Sequence, residues 1–64
     1  MKNEQFDFVG EIERAYIVLG EQAEMQNHRD IKEWQKQGLI TFEEAKELHI
    51  SNFKFAREYR NVNL

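Results

Sequence analysis

The chain has no cysteine, no proline and only three glycines in 64 residues. The first absence rules out disulfides, and the two histidines, His28 and His49, stand at no recognised metal spacing, so neither kind of staple supports a small fold. The second leaves long helices unobstructed, with Gly10, Gly20 and Gly38 as the only strong punctuation. Apolar runs of signal-peptide or membrane-spanning length are also missing, which predicts a cytoplasmic protein without membrane contact. Ser51 is the only serine and has no evident base, so nucleophilic catalysis is not expected. No catalytic, cofactor-binding or metal-binding residue can be named, and the chain reads as a non-enzyme that needs no cofactor.

Against these absences stand eight aromatics: Phe6, Phe8, Tyr16, Trp34, Phe42, Phe53, Phe55 and Tyr59. They supply material for a core despite the charged composition. A domain of this size buries only ~60% of the surface its unfolded chain exposes. With disulfides and metals excluded, self-association or a partner protein is the expected source of added stability. The net charge of −3 is unevenly placed. Residues 1–30 carry three cations against seven carboxylates, whereas residues 31–64 carry six against five. The acidic runs Glu11/Glu13 and Glu43/Glu44/Glu47 are most simply solvated helix faces, although the first could also meet a basic partner or imitate nucleic acid. The tripeptide His28-Arg29-Asp30 resembles the start of a protein-kinase catalytic loop, but the asparagine that should follow is Gln35, and the chain is far too short for that fold.

The chain is expected to be all-α, a single small helical domain over 1–64. At about 100° per residue, Phe8, Val9, Ile12, Ala15, Tyr16, Leu19 and Ala23 fall on one stripe of a helix. Asn27, Ile31 and Trp34 extend it, so one helix over about 4–37 is the reading, kinked or broken somewhere within 20–30, where Gly20, Asn27, His28 and Asp30 weaken it. Its end is specified better. Gly38 suits a left-handed C′ position, with Leu39 as C″ and Trp34 as C3 of a Schellman cap. Thr41 and Glu44 then form a capping box that opens the next helix, stapled by Ile40 and Ala45. The pattern predicts a helical hairpin with a turn at 38–41 and a second helix over about 42–60.

If that second helix is continuous, apolar groups cover more than half of its circumference, beyond what one antiparallel neighbour can bury. Ile17, Val18 and Met25 are a similar excess on the first helix. Ile17, Val18, Phe42, Ile50 and Phe53 are therefore the candidate protein interface, for a homodimer packed as a bundle or for another protein. The expected function is a protein–protein interaction module, a small regulator or inhibitor of the phage or mobile-element type that binds and modulates another protein.

If instead the helix breaks at His49, the stretch "TFEEAKELHISNFKFAREY" resembles the helix-turn-helix of phage repressors and excisionases. Ala45 matches the small residue between the two helices, Leu48 and Ile50 the buried positions at the turn, and Phe55 and Tyr59 those of the recognition helix. The resemblance implies a DNA-binding transcription regulator in which Asn52, Phe53, Lys54 and Arg57 face DNA and Arg60 lies near phosphates. His49 where that family has glycine, and Phe53 on the DNA side, depart from its pattern. The turn also resembles the "G-x-I-T-x-E-E" hairpins of many small bacterial and phage helical proteins, in which the helix runs on.

Overall fold

The computed structural model describes residues 6–62, and every regular element among them is helical. Helix α1 runs Phe8–Leu19, α2 Ala23–Lys36 and α3 Phe42–Val62, with one 3-10 turn, Gly20–Gln22, between the first two. None of these helices is long and apolar enough to cross a membrane.

The helix expected over about 4–37, kinked or broken within 20–30, is divided at Gly20–Gln22 into two helices. Asp7 caps α1 by accepting from the Gly10 N–H at 2.9 Å. The helix stops at Gly20, whose φ of 65° and ψ of −136° side chains rarely tolerate and whose N–H turns back to the Tyr16 carbonyl. There the chain reverses, inside the stretch where the sequence weakens. The rings of Phe8 and Trp34 lie 4.8 Å apart, whereas an uninterrupted helix would hold them about 39 Å apart. Burial explains the choice. A continuous helix would leave Ile12 and Tyr16 uncovered, and burying each large apolar side chain contributes about 1.5–3 kcal/mol, which together offsets helical hydrogen bonds worth about 0.5–1.5 kcal/mol each. Val9 and Leu19, placed on the same stripe by periodicity, stay exposed at its margins.

The second turn follows its sequence signals. Leu39 N–H donates to the Trp34 carbonyl at 2.9 Å and Gly38 N–H to the Gln35 carbonyl at 3.0 Å, the two bonds of a Schellman cap. Gly38 has φ 80°. The Thr41 N–H donates to Glu44 Oε1 at 2.7 Å, and the Glu44 N–H to Thr41 Oγ1 at 3.0 Å, closing the capping box. Ile40 and Ala45 are both buried. From there α3 is continuous through His49 and Ser51 to Val62. It packs antiparallel to α2, and α1 folds back against both.

The core is small and partly polar. Ile12, Tyr16, Ile31, Ile40 and Leu48 are buried together with three alanines, Ala23, Ala45 and Ala56, which let the helices approach closely. Two of the four largest wholly buried side chains are asparagines, Asn27 and Asn52. Asn52 Oδ1 accepts from Tyr16 Oη at 2.6 Å and from Asn27 Nδ2 at 3.0 Å. The Asn27 amide also donates to the Ile12 carbonyl at 3.1 Å, and Asn52 Nδ2 to the Glu24 carbonyl at 3.0 Å. One side chain from each helix therefore meets at a single point, and among the described residues no buried side-chain polar atom is left without a partner.

The two left-handed glycines differ in their surroundings. A Cβ on Gly20 would meet Tyr59 Oη at 3.1 Å, while one on Gly38 would meet nothing within 4 Å. Gly38→Ala should cost about 1 kcal/mol of backbone strain, and Gly20→Ala about 2–3 kcal/mol because strain and crowding combine. Urea denaturation of the two variants checks this; equal losses would contradict a reversal at Gly20 that is held against α3.

Candidate interaction faces

Around α3, Phe42, Lys46, Ile50, Phe53, Arg57 and Arg60 fall within about 80° of one another, and Glu44, Glu47 and Glu58 within about 60° on the other flank. The two flanks thus differ in charge, with Glu43 and Lys54 between them on the outer side of the helix. Its basic flank turns towards α2. There Arg60 reaches Glu24 at 3.3 Å, and the Phe53 ring lies 5.0 Å from that of His28. Phe42 is 65% exposed, Ile50 60% and Phe53 54%, so the apolar part of this flank faces water.

Two histidines close the same seam. His28 and His49 stack with ring centroids 4.9 Å apart, and their Nδ1 atoms are 2.8 Å apart, so one ring donates its N–H to the other. Sequence spacing set them apart because they share no helix face; the hairpin brings them together. Burial, then the positive charges of His28 and Lys32, hold the His49 pKa below its usual value. Among the described residues no group of three or more His, Cys, Asp or Glu side chains is placed to hold a metal ion.

The acidic flank of α3 turns towards α1. At one level Asp7, Glu44 and Glu47 surround an apolar hollow floored by Phe8 and Leu48. At the next level Glu13 and Glu58 flank one made by Ile17, Phe55 and Val62. Among the described residues neither hollow is lined by a lysine or an arginine.

The five candidate interface residues are all exposed, but they do not form one patch. Phe42, Ile50 and Phe53 share the basic flank of α3. Ile17 borders the α1/α3 groove instead, and Val18 faces the α1/α2 side near Gln26 and Asp30. Periodicity identified them as surplus to a hairpin; only the fold-back of α1 assigns them to separate faces.

The helix-turn-helix geometry is absent. Nothing breaks α3 at His49, and Asn52, placed on the DNA side by that resemblance, is 0% exposed. Its amide is held in the polar core, which a recognition-helix surface residue could not satisfy. Phe53, Lys54, Arg57 and Arg60 are exposed, with Arg60 paired to Glu24. Sequence reading missed the Tyr16–Asn27–Asn52 cluster, although a signal existed: Asn27 and Asn52 are nearly equidistant from the turn and face each other in any antiparallel hairpin closed there.

Comparison with known proteins adds no family: no protein-family model, curated protein or solved structure matches the chain.

The depressed His49 pKa sets a sign for the pH dependence. The unfolded chain takes up this proton near pH 6.5 and the folded chain resists it, so the contribution is intact above about 6.5 and is lost as pH falls towards the lower folded value. The urea midpoint should fall between about pH 7.5 and 5.5 more steeply in the wild type than in His49→Gln. Parallel curves would contradict the imidazole pair.

Proposed function

We propose that the chain is a non-enzymatic protein–protein interaction module, a small regulator that acts by binding another protein or a second copy of itself. The observation that carries this reading is the exposure of Phe42, Ile50 and Phe53 together on one flank of α3. In so small a chain, three large apolar side chains gathered on one exposed strip are a surface that water alone covers poorly. Lys46 and Arg57, whose positions fall on the same strip, give it a polar rim, and Met25, beside His28, is another exposed apolar group on α2. Aromatic and arginine side chains together are the composition of an interface centre.

DNA reading has no comparable support, because its recognition-helix geometry required the break at His49 and the net charge is −3. Packing of two three-helix copies through this flank is the form of self-association the module would take.

Phe53→Asp should leave the helical circular dichroism largely intact while abolishing self-association in sedimentation velocity over about 10 µM to 1 mM, a range set by the weak affinities of small interfaces. A protein retained from the native host by the wild type should likewise be lost with Phe53→Asp. If the variant behaves as the wild type in both measurements, this flank is not the interface.

A further inference from the structure

A second face differs in chemistry from the flank of α3 just described. Along the groove between α1 and α3, five carboxylates border the apolar hollows: Asp7, Glu44 and Glu47 at one level, Glu13 and Glu58 at the next. Among the described residues no lysine or arginine lines either hollow. Of the nearby cations, Arg14 pairs with Glu11 at 2.7 Å and Arg60 reaches Glu24 on the α2 side, while Lys54 stands one turn before Glu58 on the outer side of α3. Carboxylates therefore outnumber cations along the groove, although Asp7 and Glu44 also cap the positive ends of α1 and α3.

At the level of Glu13 and Glu58 the groove's floor is Phe55 with the rings of Tyr16 and Tyr59, and Ile17 and Val62, 83% and 80% exposed, are apolar groups on its rims. Ordinary solvated carboxylates on a helix need no such floor. An apolar trough walled by carboxylates matches a helix with an apolar stripe flanked by lysines or arginines. We propose that the α1/α3 groove is a docking site for a basic amphipathic helix of another protein. This rests on reading the chain as a protein-binding module, and it assigns the partner's chemistry to a different face from the one containing Phe53.

The two hollows lie one after the other along α1, whose twelve residues extend roughly 18 Å. The groove accommodates about three to four turns of a partner helix. The apolar stripe of that helix would lie over Ile17, Phe55 and Val62, its cations reaching Glu13 and Glu58 on the two walls. Because these carboxylates are exposed, binding should weaken as salt rises.

The probe is a synthetic helical peptide of about 14 residues with leucine on one face and lysine on the other, long enough to span α1. Titrated into the isotopically labelled full chain, it should shift the amide signals of Val9, Glu13, Ile17, Phe55, Glu58 and Val62 and leave those of Phe42 and Ile50 in place. Glu13→Gln combined with Glu58→Gln should weaken binding about tenfold. Glu33→Gln combined with Glu43→Gln removes the same charge elsewhere and should change it little. Phe53→Asp should leave the peptide affinity unaltered, so loss of the other interface and loss of this one are read separately. Equal weakening by both glutamine pairs, or shifts centred on Phe42 and Ile50, would overturn the proposal. So would concentration-dependent shifts at Ile17 and Val62 in the chain alone, which would assign the groove to a second copy.

Discussion

The side-chain carbonyl of Asn52 accepts two hydrogen bonds, from Tyr16 on α1 and Asn27 on α2, and the arrangement of the three helices depends on it. An amide buried this deeply is tolerated only when its polar atoms are satisfied, because an unpaired one costs about 1–3 kcal/mol. Here satisfaction requires all three helices at once. Sliding α3 by one turn along α2 would separate Asn52 from Asn27, and moving α1 would strand the Tyr16 hydroxyl. The apolar core alone, rich in alanine, would discriminate poorly among such shifts. The polar cluster thus supplies register, and the surrounding isoleucines and leucine supply the burial that draws the helices together.

Register in turn decides what the surface carries. With α1 folded onto α2 and α3, the interior side of α3 is closed, and its two flanks look in different directions. One gathers Phe42, Ile50 and Phe53 with basic residues; the other lines an acidic groove beside α1. If α1 had continued straight into α2, this groove would not exist. The reversal at Gly20 is therefore the step that turns a generally sticky hairpin into a molecule with separate, chemically opposed faces.

Much of this was legible in the sequence wherever a local hydrogen-bonding code applied. Trp34, Gly38, Leu39, Thr41 and Glu44 specify the second turn through neighbours within a few residues, and the structure contains each bond they imply. The all-helical class and the surplus of exposed apolar groups were equally visible. The first turn was not, because Gly20 lacks flanking cap signals and the apolar stripe runs through it in phase, so that reversal and continuity look alike. The asparagine cluster was hidden for another reason. A polar residue reads as surface until its partners are known, and those of Asn52 lie 25 and 36 residues away. The same blindness placed Asn52 on a DNA-facing surface.

Tyr16 is locked, uncharged, into this cluster. Burial, and secondarily the negative charge of Glu24, push its hydroxyl up to about 12. The most direct measurement is the carbon-13 shift of Tyr16 Cζ followed by NMR through alkaline pH. The account predicts that this tyrosine stays protonated past the ordinary phenol range and ionises only as the fold is lost. A free titration near pH 10 with the helices intact would contradict it.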